Sequence, residues 1–297
     1  MTRIDFVGRK YIWFALSAAV IVIGVVGILL RGLTLGIEFK GGTLLDVRFR
    51  SVTSVEAVRK ALAPDKMGDA QIQMVGAQEN EALIRTVKLS PGQVSKAEQD
   101  LKAMGATDLS VQTVGGTWGK QLTYGVSVAI IVALLVVLSF VAYRFEFKMG
   151  IAGVIALVHD IVIALGLYAF LGREVTTSTV AAFLTILGYS LYDTIVVFDR
   201  VRENAGGLKK QTYSQMVNQS INQTLRRSIS TSFTSVVPVA ALFFFGGETL
   251  KDFAFALMVG LISGAYSSIF IASPILAMWK EAEPRYVALR RKLERAG

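Results

Sequence analysis

Six long apolar stretches restrict this chain more than any other feature. They cover residues 11–30, 122–143, 149–171, 177–198, 229–245 and 253–279. Each is long enough, or nearly so, to cross the roughly 30 Å hydrocarbon layer of a bilayer. Lipid offers no partner for an unpaired backbone amide, so each stretch must be helical. The mean hydropathy of +0.53 is far above that of a soluble protein of this length. The first stretch runs into Arg31-Gly32-Leu33 without a small-x-small cleavage site, which reads as a retained span and not a cleaved leader. The fifth is short and opens on a Ser/Thr-rich turn, so its start is the loosest boundary.

Lysine and arginine near the span ends give an orientation. Arg3, Arg9 and Lys10 precede the first span, and Arg144 and Lys148 join the second to the third. Arg200, Arg202, Lys209, Lys210, Arg226 and Arg227 lie between the fourth and fifth, and the tail carries Lys280, Arg285, Arg290, Arg291, Lys292 and Arg295. The two short loops opposite carry one each, Arg173 and Lys251. Both termini are therefore expected in the cytoplasm. The formal charge of +9 is mostly this topology signal, and nucleic acid is not needed to explain it.

Between the first two spans the composition turns polar. Residues 36–49 read as a strand, 54–63 as a helix, 70–76 and 81–87 as strands, 91–104 as a second helix and 107–114 as a last strand. Pro64, Asp65 and Gly68 punctuate the first helix end, and Ser90-Pro91-Gly92 opens the second helix, which Gly105 closes. The expectation is a polytopic α-helical membrane protein of six transmembrane helices with one extracytoplasmic α+β domain, ferredoxin-like (βαββαβ), between helices 1 and 2. In residues, that means 1–31 for the N-terminus and first helix, 32–120 for the outward domain, 121–280 for helices 2–6, and 281–297 for a basic tail.

Several chemistries are excluded or lack support. The chain has no cysteine and one histidine, His159, so disulfides and His-rich zinc sites drop out. No G-x-x-x-x-G-K-[ST] phosphate loop occurs, and no cofactor or metal is expected. Gly41-Gly42, after Phe39-Lys40, implies a bulge or a close backbone approach.

Charges inside the spans are the informative residues. Asp160 lies midway along the third and Asp193 in the cytoplasmic half of the fourth. Each costs roughly 2.5–3.5 kcal/mol at a helix centre, so each needs a reason. Either it is a proton-binding acid or ion ligand, or a neutral acid that fixes helix packing. Tyr189 and Ser190 precede Asp193 by one turn on the same face, and Gly188 would allow close helix approach. The fifth span opens with Arg226-Arg227 and the hydroxyls of Ser228, Ser230, Thr231, Ser232, Thr234 and Ser235, a set able to line a polar path. Arg227 is placed to meet Asp193, or else snorkels alone to the headgroups. His159 and Asp160 are neighbours pointing about 100° apart, which argues against a dyad. Gly260, Gly264 and Ser268 form a small-residue ridge, Pro238 and Pro274 are expected kinks, and residues 211–222 an interfacial helix.

Three blocks resemble one family. They are Gly36-Ile-Glu-Phe-Lys-Gly-Gly-Thr43, the run from Leu187 through Asp193 to Asn204, and Asn222 to Ser232. They are similar to the SecD/SecF family over essentially the whole chain. The resemblance implies a subunit of the bacterial inner-membrane export machinery that works with SecD beside the SecYEG channel, using the proton-motive force to draw exported polypeptide outward. It also implies half of a twelve-span assembly like the resistance-nodulation-division transporters. It places Asp193 and Arg227 in a proton path, with Asp160 in the family's His-Asp stretch, and makes Phe39, Gly41 and Gly42 the signature of the outward domain. Tyr192 stands where an asparagine is common, beside the acid. A passive assembly factor and an intramembrane aspartyl protease (Tyr192-Asp193 with Asp160) are the competing classes.

Overall fold

The computed structural model describes residues 4–51, 53–63, 67, 70–75, 80–246 and 248–295. Pro64, Asp65, Gly68 and the expected strand end at Gly76 lie outside the described residues. In chain order come α1 (Lys10–Arg31), β1 (Gly42–Phe49), α2 (Val55–Leu62), β2 (Gln71–Val75), β3 (Glu81–Thr86), α3 (Pro91–Ala103) and β4 (Ala106–Val114). Then follow α4 (Gly116–Arg144), α5 (Phe147–Leu171), α6 (Thr177–Ala205), α7 (Tyr213–Phe245) and α8 (Glu248–Ser267). A π segment (Ser268–Ala272) joins α8 to α9 (Ser273–Glu281), and α10 (Pro284–Glu294) ends the chain. Six helices are long and apolar enough to cross a membrane: α1, α4, α5, α6, α7 and the composite Leu250–Glu281. The chain divides into two units, residues 35–128 and the remainder, so α4 begins in one and continues into the other.

In the smaller unit, β1–β4 form an antiparallel sheet in the order β2-β3-β1-β4. Period-2 alternation puts Leu45, Val47 and Phe49 of β1 and Ala82 and Ile84 of β3 on one face. Val58 and Leu62 of α2 and Ala97 and Leu101 of α3 bury against them. Ser54 caps α2 by accepting from the Ala57 amide, and a Ser90–Gln93 capping box starts α3. The first strand is shorter than the expected 36–49, because Ile37–Lys40 form a single helical turn.

Two glycines explain that break. Gly41 and Gly42 have φ of +74° and +137°, values that side chains resist. A Cβ on Gly42 would lie 2.5 Å from the Thr86 carbonyl oxygen, and one on Gly41 3.1 Å from Gly116 Cα. The expected close approach is thus to β3 and to the first turn of α4. Gly119, one turn further, comes equally close to the Phe39 carbonyl.

In the larger unit α5, α6 and α8–α9 are the most buried spans, while α4 and α7 expose most of their length. The expected ridge is there: Gly260 meets Ile186, and a Cβ on Gly264 would lie 3.1 Å from Ser190 Cα. Gly188 behaves otherwise, with nothing within 4 Å of its Cβ position, so among the described residues no helix uses it for close approach. Residues 211–222 are not a separate interfacial helix. A Thr212–Gln215 capping box launches α7, and nothing breaks it before Phe245, Pro238 included. At Pro274 the missing amide is met by the π widening just before it, where the Ser273 hydroxyl donates to the Ser268 carbonyl at 2.7 Å.

Candidate functional site

Both intramembrane acids are buried, Asp160 at 0% exposed and Asp193 at 1%. They sit in different surroundings. Asp160, on α5, accepts from the hydroxyls of Ser190 on α6 at 2.6 Å and of Ser263 and Ser267 on α8 at 2.6 and 2.7 Å. Serines at i and i+4 face the same way on a helix, and the Gly264 contact brings that face against α6. The carboxyl therefore ties three spans together. Ser190, expected beside Asp193, turns to Asp160 instead.

His159 and Asp160 do meet, contrary to the divergence expected of neighbours: Nδ1 lies 3.0 Å from Asp160 Oδ1. The imidazole reaches sideways across the helix surface, because both side chains lean toward α8. Its ring stacks on Tyr266, whose hydroxyl pairs with Ser17 and donates to the Trp13 carbonyl on α1.

Asp193 has a sparser shell. The Ser232 hydroxyl of α7 donates to Oδ2 at 3.2 Å. Arg227, one turn earlier on α7, exerts its charge on the carboxyl, but its guanidinium donates to the Tyr192 hydroxyl at 3.2 Å. The direct Asp193–Arg227 pairing expected from the sequence is thus replaced by a step through Tyr192. The Thr231 hydroxyl is largely committed to its own helix, donating to the Arg227 and Ser228 carbonyls at 3.0 Å. Tyr189 and Ser228 keep buried hydroxyls without a hydrogen-bond partner among the described residues. One turn beyond Ser190 on α6, Thr194 pairs with Ser268 at 2.7 Å, which continues the hydroxyl seam along α6 and α8.

Sequence reasoning passed over Ser263, Ser267, Thr194 and Tyr266. The available signal was the four-residue spacing of Ser263 and Ser267 beside Gly260 and Gly264 on an otherwise apolar span. Phe39, Gly41 and Gly42 belong to the other unit, where they shape the turn before β1.

Residues 93–282 match the family described as "Protein export membrane protein SecD/SecF, C-terminal", and residues 26–51 match the "SecD/SecF GG Motif". The chain belongs to the SecD/SecF family. A "Protein translocase subunit SecF" of Streptomyces coelicolor is 39% identical over 301 residues, covering 97% of this chain and 80% of that one. One of Desulfurispirillum indicum is 40% identical over 296 residues, covering 96% and 93%. The crystal structure of SecDF from Thermus thermophilus, titled "a translocon-associated membrane protein", superposes with a TM-score of 0.87 at 36% identity. It covers 94% of this chain, which spans only 39% of the SecDF chain. The span-four and span-five blocks that carry Asp193 and Arg227 fall inside the matched SecD/SecF segment.

Proposed function

We propose that this chain is the SecF-type half of a proton-driven protein-export unit, with Asp193 as the acid that takes up and releases the proton. The observation that carries this reading is the mismatch at Asp193: a carboxyl removed from water, held only by the Ser232 and Thr231 hydroxyls, with an arginine parked one residue away on Tyr192. A neutral carboxyl is content with the Ser232 hydroxyl. Once it ionises, it draws Arg227 off Tyr192, because an unpaired anion in a low-dielectric interior is costly. That swing pulls α7 against α6, so proton binding and helix position become one equilibrium. Each charge crossing the potential supplies about 2.3 kcal/mol per 100 mV. Asp160 serves the same path from α5, and Tyr189, Ser190 and Thr231 line it.

The rest of the reading follows from family membership and charge placement. The chain lies in the bacterial cytoplasmic membrane with both termini in the cytoplasm, as the clustered arginines and lysines support. Residues 32–120 face outward as a ferredoxin-like domain; the antiparallel β2-β3-β1-β4 order with two helices supports that class. SecD supplies the other half, which the length of the SecDF structure supports. The SecYEG channel and the unfolded exported polypeptide are its working partners, and the chain needs no nucleotide site of its own.

The test is export driven by a proton gradient in vesicles holding this chain with its SecD partner. Asp193→Asn and Arg227→Met proteins are expected to assemble normally and to lose the gradient-dependent part of export. Normal gradient-dependent export by a well-assembled Asp193→Asn protein would leave the chain a passive assembly factor.

A further inference from the structure

A cleft of about 540 Å³ opens where the segment before α1 crosses the first turns of α7, within the larger unit. Asp5, Gly8 and Lys10 line one wall, and Gln211, Gln215 and Gln219 the other. Asn218 fixes the two walls together. Its amide oxygen accepts from Phe6 and Val7, and its nitrogen donates to the Ile4 carbonyl. The cleft is therefore preformed.

Its walls carry spare donors. Gln215 and Gln219 are one turn apart on α7 and face the same way. The Thr212 amide donates to Gln215 Oε1 at 2.9 Å. A backbone N–H can be met only by the carbonyl end of a glutamine, so Gln215 Nε2 is left over, with no acceptor among the described residues. Gln211 Nε2 donates to Gln219 Oε1 at 3.0 Å, which leaves Gln219 Nε2 spare as well. Lys10 has no carboxylate partner among the described residues, and its ammonium lies 5.3 Å from the centre of the Tyr11 ring. One acceptor stands against these donors. Asp5 Oδ1 accepts from the Gly8 amide at 2.7 Å, and Oδ2 has no donor among the described residues.

We propose that this cleft binds the phosphoethanolamine headgroup of a membrane lipid. The phosphate takes Lys10 and the two glutamine nitrogens, and the primary ammonium takes the free oxygen of Asp5. One cation and one anion on the walls match a zwitterion, whereas a headgroup of net negative charge would leave Asp5 facing an anion. A quaternary ammonium has no N–H to give that carboxylate. The volume lies within the range of small-ligand sites. Depth favours a lipid over a soluble phosphate compound. Lys10 is the first residue of the first span, and Tyr11 and Ile12 just beyond it are 69% and 60% exposed, as residues facing lipid are. The mouth of the cleft thus lies at the level of the headgroups. A lipid held there fastens the start of α1 to α7, the helix that carries Arg227 and Ser232. Its effect on export rests on the proton-driven reading above; the binding does not.

The test is native mass spectrometry of the full-length chain, released from micelles doped equally with phosphatidylethanolamine, phosphatidylcholine and phosphatidylglycerol of one acyl composition. The wild-type chain is expected to retain the ethanolamine lipid about tenfold over the other two, the worth of one charged hydrogen bond. Asp5→Asn can still accept from the Gly8 amide and should lose that preference. Lys10→Met should lower retention of the ethanolamine lipid by about tenfold. Gln219→Leu, remote from the Gly8 turn, should lower it by about threefold and serves if either of the others does not fold. Equal retention of the three lipids by the wild-type chain overturns the proposal, and so do folded variants that retain them as the wild type does. Soluble phosphoethanolamine at about millimolar concentration should not displace the lipid. Displacement would make the ligand a soluble phosphate compound and overturn the lipid assignment. Asp193→Asn should retain lipid like the wild type, so its export result judges the export reading alone.

Discussion

The same substitution at two glycines of the membrane unit should have opposite effects. Gly188 on α6 and Gly264 on α8 are both helical, so replacing either with alanine gains about 0.8–1.0 kcal/mol of helix propensity. At Gly188 a Cβ meets nothing within 4 Å, so the gain stands and the isolated chain is stabilised by about that amount. At Gly264 the Cβ lies 3.1 Å from both Ser190 Cα and Ser190 Cβ. A backbone cannot rotate aside, so the helices must part by a few tenths of an ångström. Overpacking of this kind costs about 1–3 kcal/mol. Parting α8 from α6 also stretches the Ser263 and Ser267 bonds to Asp160, and intramembrane bonds average about 0.6 kcal/mol each. The propensity gain is common to both variants and cancels in their difference. Gly264→Ala should therefore fall below Gly188→Ala by about 1–4 kcal/mol. Reversible unfolding of the full-length chain in bicelles measures that gap. Equal stabilities would refute the reasoning, because they would mean that the α6–α8 contact gives way without cost.

Gly42→Ala places a Cβ in a φ of +137° and 2.5 Å from the Thr86 carbonyl. It should destabilise the 35–128 unit by at least about 1–3 kcal/mol, read as faster proteolysis or hydrogen exchange of β1 and β3. Just before α10, burial opposes ionisation of Glu283, but the hydrogen bond from Lys148 and the charge of Lys280 outweigh it and hold its carboxyl below the usual range. A lowered folded-state value stabilises above the unfolded value, near pH 4.3, and the contribution is lost as pH falls through the folded one. Glu283→Gln should flatten the acid side of the stability curve; an unchanged acid limb would count against the cluster. Asn218 accepts from the Phe6 and Val7 amides at 2.7 and 3.3 Å and donates to the Ile4 carbonyl, so Asn218→Ala should expose the segment before α1 to exchange.

Much of the architecture was legible in the residues, since lipid enforces helices and period-2 alternation enforces strands. The six spans follow from apolar length alone, and β1–β4, α2 and α3 from alternation and capping signals. What failed was local in a different way. Hydrophobic pattern extends the first strand over Ile37–Lys40, because the glycines' positive φ is a backbone property that the pattern does not carry. Falling polarity along α7 separates residues 211–222 from 229–245 in the sequence, although nothing in the backbone interrupts the helix.

The polar site divides along the same line. The sequence by itself located the two acids, since an ionisable group in an apolar run stands out against about 3 kcal/mol of insertion cost. It also located the arginine and the hydroxyl-rich start of α7. Only the tertiary structure decided who meets whom. Ser190 serves Asp160 and not Asp193, Ser263 and Ser267 arrive from a span about a hundred residues away, and Tyr192 takes Arg227 from Asp193. Burial cost belongs to one residue and is written in its neighbourhood along the chain. Hydrogen bonding belongs to pairs, and helix packing alone chooses the pairs.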